Sequence, residues 1–201
     1  MRRLNSRIIF VLIVLIIGLA YINTKNKTNL PEPEQRITSL EPINQITYFS
    51  YPDQHDSIFS TNNLNNKITV ADFFFTSCPE LCPAMSRYMK DLALTYTSDS
   101  TVQFLSISVD PLNDTKSVIN NYILSQGLNF DNWFFLESDA SSIVSLLEQG
   151  FLLSGDGLPG LHSTKFILIN SNAEVVGYYD PFSKEEINQL KSDINNFLEV
   201  L

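Results

Sequence analysis

The chain has only two cysteines, Cys78 and Cys82, four residues apart in the stretch Phe73-Phe74-Phe75-Thr76-Ser77-Cys78-Pro79-Glu80-Leu81-Cys82-Pro83. A bridge between them would close almost no loop and add little stability. A secreted domain stapled by disulfides normally carries more cysteines. The spacing suits redox or metal chemistry instead, because a thiolate is both the nucleophile of disulfide exchange and a ligand for soft metals. An apolar run, Ile68 to Phe75, precedes the pair and a helical pattern follows it, so both sulfurs belong to a strand-to-helix turn. Ligands gather at that edge of open α/β sheets. The free N–H groups and dipole of a helix N-terminus favour a thiolate there, and Pro83 suits the first turn of such a helix.

His162 lies in Leu153 to Ser163, a loop with Gly155, Gly157, Pro159 and Gly160 that can carry a side chain over a neighbouring site and can move. The other histidine, His55, sits in the polar turn Pro52-Asp53-Gln54-His55-Asp56 and reads as a solvated turn residue. Asp72 interrupts the apolar strand six residues before Cys78. A buried carboxylate is costly without a task or a partner, so Asp72 is either an acid at the strand margin with access to water or a buried acid with a task. Asp110 ends a second apolar run, where it either lines the site or hydrogen-bonds its own loop, the second being the simpler role. Met85 and Met89, at i and i+4 of an amphipathic pattern, belong to the core and not to a metal.

The elements that must position these residues follow from the pattern. Ile46 to Ser50 and Ser57 to Ser60 read as strands around the polar turn, an N-terminal hairpin. Ile68–Phe75 and Val102–Val109 are continuous apolar runs, as in strands buried on both faces. Met85, Tyr88, Met89, Leu92 and Tyr96 recur at helical spacing. Thr115–Gln126 and Ala140–Gln149 are expected helices and Trp133–Leu136 a short strand; Thr164–Asn170 and Val175–Tyr179 form a hairpin through Ser171-Asn172. Ser183 with Glu186 three residues later is a capping box for a closing helix. Strands alternating with helices predict an α/β sheet with helices on both faces over residues 46–201.

The whole stretch resembles the Sco/SenC family. The carriers are Cys78-Pro79-Glu80-Leu81-Cys82-Pro83, the segment Ser106-Ile107-Ser108-Val109-Asp110-Pro111 with Asp114-Thr115 after it, and His162-Ser163 before an apolar strand. The resemblance implies a thioredoxin-like fold with a central mixed sheet, membrane attachment, and copper handling in assembly of the CuA site of cytochrome c oxidase. It implies that Cys78, Cys82 and His162 bind copper, Cu(I) or Cu(II), and that the partner is a copper-accepting membrane protein, a subunit of the oxidase. Two thiolates and an imidazole are a soft, low-coordinate donor set that suits Cu(I), whereas zinc ordinarily asks for a fourth ligand. One departure stands out: the family places an acid just before the histidine, and here that residue is Leu161, with Asp156 the nearest acid upstream. A carboxylate behind a metal-binding imidazole orients it. Thioredoxins are similar at Asp72, where their acid assists proton transfer to the thiol. The alternative activity is therefore a membrane-tethered thiol–disulfide oxidoreductase that reduces the cysteines of its target. A peroxiredoxin-like reading fails because no Thr-x-x-Cys is found.

Apolar residues make up 44% and charged residues 17%, the profile of a packed chain and not of a disordered one. Of 13 basic residues three are Arg2, Arg3 and Arg7, whereas every one of the 22 acidic residues follows residue 30. The body is therefore strongly acidic, which argues against nucleic-acid binding. The arginines precede an uncharged apolar run from Ile8 to Ile22. That run is short for a span and at the upper limit of a signal-peptide core, with Gly18-x-Ala20 offering a cleavage site. The expectation is residues 1–24 as an uncleaved anchor with a single span, 25–45 as an extended linker carrying Pro31, Pro33 and Pro42, and 46–201 as a globular domain on the periplasmic side of the cytoplasmic membrane.

Overall fold

The structure, a computed structural model, describes residues 40–201. The expected anchor and most of the expected linker lie outside the described residues. Among the described residues no helix is long and apolar enough to cross a membrane.

Eight strands and three long helices make up the domain. The strands are β1 (Asn44–Gln45), β2 (Ser50–Pro52), β3 (Ile58–Ser60), β4 (Ile68–Phe74), β5 (Val102–Ser108), β6 (Trp133–Leu136), β7 (Phe166–Ile169) and β8 (Glu174–Tyr179); the helices are α1 (Leu81–Thr95), α2 (Lys116–Gln126) and α3 (Lys184–Leu198). Six strands form one sheet in the order β1-β8-β7-β4-β5-β6, and β2 pairs with β3 as a separate hairpin. β4, β5 and β6 are parallel and the remaining pairs antiparallel, so the sheet is mixed. β4 and β5 are buried at every position, as two-sided coverage requires of their continuous apolar runs.

Alternation along the strands divides the core in two. Val70, Phe74, Phe104, Phe135, Phe166 and Leu168 face a layer filled by Met85, Met89 and Leu92 of α1, Ile119 and Tyr122 of α2, and Leu190 and Ile194 of α3. Ala71, Phe73, Leu105, Ile107 and Ile167 face a second layer, closed by Phe49, Tyr51 and Phe59 of the hairpin region and by Ile143, Leu146 and Leu147. All three long helices thus cover one face, and a hairpin with a short helical segment roofs the other. Met85 and Met89 are fully buried, as core residues of α1.

Two segments differ from the sequence expectation. The first hairpin strand is Ser50–Pro52 and not Ile46–Ser50; Ile46–Phe49 form no strand, and Asn44–Gln45 ahead of them pair as β1 with β8. The segment expected as a helix over 140–149 is a single α-turn, Ile143–Ser145, that widens into a π-turn, Leu146–Gly150. Phe151 ends it by donating its N–H to the carbonyls of both Leu146 and Leu147. Ser183 does cap α3, accepting from the Glu186 N–H at 3.3 Å. The second half of the box is not made, because the Glu186 carboxylate accepts from the Asp180 N–H instead. α2 ends at Gly127, whose left-handed backbone (φ 65°) sends its N–H to the last carbonyls of the helix.

Candidate functional site

β4 delivers the chain to the turn Phe75–Glu80, and α1 begins at Leu81. The first N–H groups of a helix have no partner within it. That of Cys82 donates to Cys78 Sγ at 3.3 Å, so the helix terminus is aimed at one sulfur. Both cysteines are free thiols, and Cys78 and Cys82 are 8% and 1% exposed. Burial is the largest influence on Cys82 and pushes its thiol well up, with Cys78 and Asp72 adding in the same direction and a backbone hydrogen bond at Phe75 opposing it. An undisturbed Cys82 is therefore protonated, and it loses its proton when a cation or an oxidant takes its place.

The turn is pinned from below by a residue that sequence reasoning passed over. Asp114 is fully buried between β5 and α2. It accepts from the N–H and hydroxyl of Thr76 and, at 2.7 Å, from the Ser108 hydroxyl. Its place in the Asp114-Thr115 motif is the one sequence signal that pointed to it. Asp110 bonds its own loop, as expected: its carboxylate accepts from the Asn113 amide, and its carbonyl from the N–H groups of Asn113 and Asp114.

His162 reaches the cysteines from the opposite side. Its Nε2 stands 3.6 Å from Cys82 Sγ. The ring packs edge-on against Phe75 at 5.4 Å and is only 8% exposed, so the loop carries it over the neighbouring site, as expected, and into the interior. Burial lowers its affinity for a proton. Nδ1 lies 2.9 Å from the Ser163 carbonyl oxygen. A carbonyl only accepts, so Nδ1 carries the hydrogen, and the neutral ring presents the Nε2 lone pair to the sulfur. This answers the departure at Leu161: that side chain is 75% exposed, and a backbone carbonyl takes the orienting role of the missing acid.

Asp72 is 2% exposed and has no margin of water around it. Strand alternation puts it with Val70 and Phe74 on the α1 face of the sheet, in the layer that holds Cys82. Its register partner Ser106 donates to Asp72 Oδ1 at 2.6 Å, and Trp133 Nε1 donates to the Ser106 hydroxyl at 2.9 Å. Burial pushes the Asp72 carboxyl up to about 7, with the Ser106 hydrogen bond opposing. Its titration thus falls in the physiological range.

The structure brings Cys78, Cys82 and His162 to one edge, with the Cys82–His162 pair already in contact. Among the described residues no three His, Cys, Asp or Glu side chains stand as a finished metal cage. Chemically the three fit a soft metal all the same: two sulfurs, one of them on a helix terminus, and an imidazole lone pair directed at the other.

A mixed sheet with a cysteine pair at the strand-to-helix turn and a histidine closing over it defines a thioredoxin-like domain with a Cys-Cys-His centre. The family model for SCO1/SenC matches residues 38–199, and the chain belongs to that family. It is 26% identical over 163 residues to a SCO1 protein homolog of Bacillus subtilis, covering 78% of this chain and 84% of that protein. A solved structure of BsSco, described as a member of the Sco family of cytochrome c oxidase assembly proteins with a disulfide switch, is similar at TM-score 0.68 and 27% identity, over 77% of this chain and 94% of that one. Bradyrhizobium japonicum ScoI, solved with copper bound, shares the fold at TM-score 0.64 and 20% identity, over 76% and 99% of the two chains.

Proposed function

We propose that this chain binds copper through Cys78, Cys82 and His162 and hands it to the CuA site of cytochrome c oxidase as an assembly factor. The observation that carries the reading is the 3.6 Å approach of His162 Nε2 to Cys82 Sγ, with Nδ1 occupied by the Ser163 carbonyl. Copper is cargo here, held by a low-coordinate set from which ligand exchange can release it. The kinship with a family of oxidase assembly proteins supports the acceptor. The body acts outside the cytoplasm, tethered by residues 1–24; the arginine bias before the apolar run supports that topology. A reporter active only outside the cytoplasm, fused after Leu201, should work, and activity of a cytoplasm-only reporter would refute the tether.

The test of copper binding is Cu(I) competition with a chelator, run anaerobically on the full chain and on Cys78→Ser, Cys82→Ser and His162→Ala. Each variant should bind more weakly, and the oxidised disulfide form should not bind at all. Unchanged affinity in His162→Ala would move the preference to a second reading, a thiol–disulfide reductase acting on the acceptor's cysteines. That reading has its own support: two free thiols above a buried carboxyl that titrates near neutrality, and a disulfide switch in a relative. Disulfide exchange needs both sulfurs and not the histidine.

A further inference from the structure

The rim of the site is apolar where a solvated protein has no reason to be. Leu81, Leu112 and Leu161 are 51%, 83% and 75% exposed. They come from the first residue of α1 and from two loops, three segments that the structure joins at the thiols. Leu81 precedes Cys82, and Leu161 precedes His162, whose ring touches that sulfur. Leu112 belongs to the loop that Asp114 fastens to Thr76, two residues before Cys78. The apolar surface continues along α1. Tyr88 is seven residues, two helical turns, beyond Leu81 and so on the same face, and its ring meets Phe182 edge-on at 5.7 Å, both rings being more than 40% exposed.

Beside the thiols the exposed charge has one sign. Segments 76–82, 110–115 and 151–163 expose Glu80 and Asp156 and hold no lysine or arginine; Asp110 and Asp114 are buried and bonded inside the fold. Lys116 and Lys165 are paired with Asp56 and Asp180, and the exposed Arg87 and Lys184 adjoin Tyr88 and Phe182 at the far end of the strip. Exposed apolar residues gathered in a patch mark an interaction site, and aromatic anchors dominate such contacts. An acidic rim repels the anionic surface of a membrane and attracts a basic protein surface.

We propose that Leu81, Leu112, Leu161, Tyr88 and Phe182 form the docking face for the copper acceptor, a protein that presents an apolar patch bordered by lysine or arginine beside its own metal site. The inference rests on the copper-transfer reading. Metal passes between proteins by ligand exchange, which requires the two sites to touch with water excluded, and an apolar collar around the sulfurs meets that need. The acidic border selects the partner and orients it, and the tyrosine–phenylalanine pair fixes one end of the contact.

The test measures association without metal, so that it stands apart from copper affinity. Full-length chain in detergent solution is titrated with the copper-free soluble CuA domain of the same organism's oxidase, at low and at moderate salt. Leu112→Lys and Phe182→Lys, on separate loops, should each weaken association at least tenfold, and Leu112→Met should stay within twofold of the parent. Salt should weaken the parent complex. Cu(I) affinity should stay within twofold in all three. Association that is absent in the parent, or indifferent to both lysines, overturns the docking face. So does a result in which the lysines alter binding only to phosphatidylglycerol vesicles, which would make the strip a lipid contact. A parent that docks normally but takes up no Cu(I) refutes the copper reading and leaves the docking face standing.

Discussion

The segment that carries the cysteines and the segment that carries the histidine meet at one contact but are held in different ways. Residues 76–82 are tied to the sheet by the buried Asp114 and continue into a two-faced helix whose Met85, Met89 and Leu92 fill the core. Residues 154–164 lean on themselves: Leu161 N–H donates to the Gly157 carbonyl, Asp156 N–H to the Ser154 hydroxyl, and His162 to Ser163. Among the described residues the one hydrogen bond that joins this segment to another part of the chain is the Cys82–His162 contact. The sulfurs are therefore a fixed pair and the imidazole, the proposed third ligand, stands on a self-contained loop. A donor set built that way can lose its third ligand to a partner without disturbing the sheet.

The largest expected effect breaks the fixed side. Asp114→Ala leaves the N–H and hydroxyl of the half-buried Thr76 and the fully buried Ser108 hydroxyl without their acceptor. At roughly 1–1.5 kcal/mol for each lost partner, the cost is about 4 kcal/mol, close to a thousandfold in the folding equilibrium. Urea midpoints should show it, and a loss below about 1 kcal/mol would mean that the cysteine turn is not held by this carboxylate. Next is the histidine side. His162→Ala should weaken Cu(I) binding by more than the roughly 100-fold that removing an outer partner of a ligand can cost. The domain should lose only about 1–2 kcal/mol of stability, mostly packing on Phe75. Chelator competition and urea unfolding on the same sample decide it. A collapse of the fold would erase the distinction between the two segments.

A pH profile sharpens the same contrast, because the buried acid lies on the cysteine side alone. Folded Asp72 holds its proton up to about 7, whereas an unfolded aspartate releases it near 4. Between those values the folded chain binds the extra proton, so stability falls as pH rises. The contribution of Asp72 is complete below about pH 4 and gone above about pH 7. Parent protein should lose roughly 2–4 kcal/mol across that window from this group, and Asp72→Asn should not show that component. Urea midpoints at half-unit steps from pH 4 to 8, parent minus variant, isolate it. Parallel curves would put water beside Asp72 and remove it from any role with the thiols.

The cysteines, the central strands and α1 were legible because their signals are local. Ile68–Phe74 and Val102–Ser108 are unbroken apolar runs, and Met85, Met89 and Leu92 keep a helical period. What was not legible depends on contacts distant in sequence. Asp114 stands in Leu-Asn-Asp-Thr, a string that reads as a solvated loop, and is buried only because Thr76 and Ser108 converge on it. His162 was singled out beside the cysteines through its loop and the family resemblance, but its packing on Phe75 was not, since nothing near it in sequence announces that ring. The stretch after Ala140 has a helical period, yet its backbone widens into a π-turn as Leu146, Leu147 and Phe151 are drawn into the second core layer. The expected anchor belongs to residues the structure does not describe.

The smallest expected effect concerns the missing acid before the histidine. If a carboxylate at position 161 were needed to hold the ring, Leu161→Glu should strengthen copper binding appreciably. The geometry argues otherwise. The Nδ1 hydrogen already has its acceptor at 2.9 Å in the Ser163 carbonyl, and one hydrogen has no use for a second partner. The Leu161 side chain lies over Gly157, where a Cβ would stand 2.7 Å from Leu161 Cδ1, and it is turned out to solvent. A glutamate there would carry its charge into water, where its pull on a nearby cation is screened. Leu161→Glu should therefore shift Cu(I) affinity by less than about threefold, an amount that a surface charge supplies without touching the ligand. The control is Ser163→Pro, which stiffens the backbone that carries the accepting carbonyl and should disturb the ring by more than the glutamate does. Chelator competition ranks the two. A gain of tenfold or more from the glutamate would mean that the ring turns to meet a carboxylate when copper binds, and that the histidine loop is less self-sufficient than its hydrogen bonds indicate.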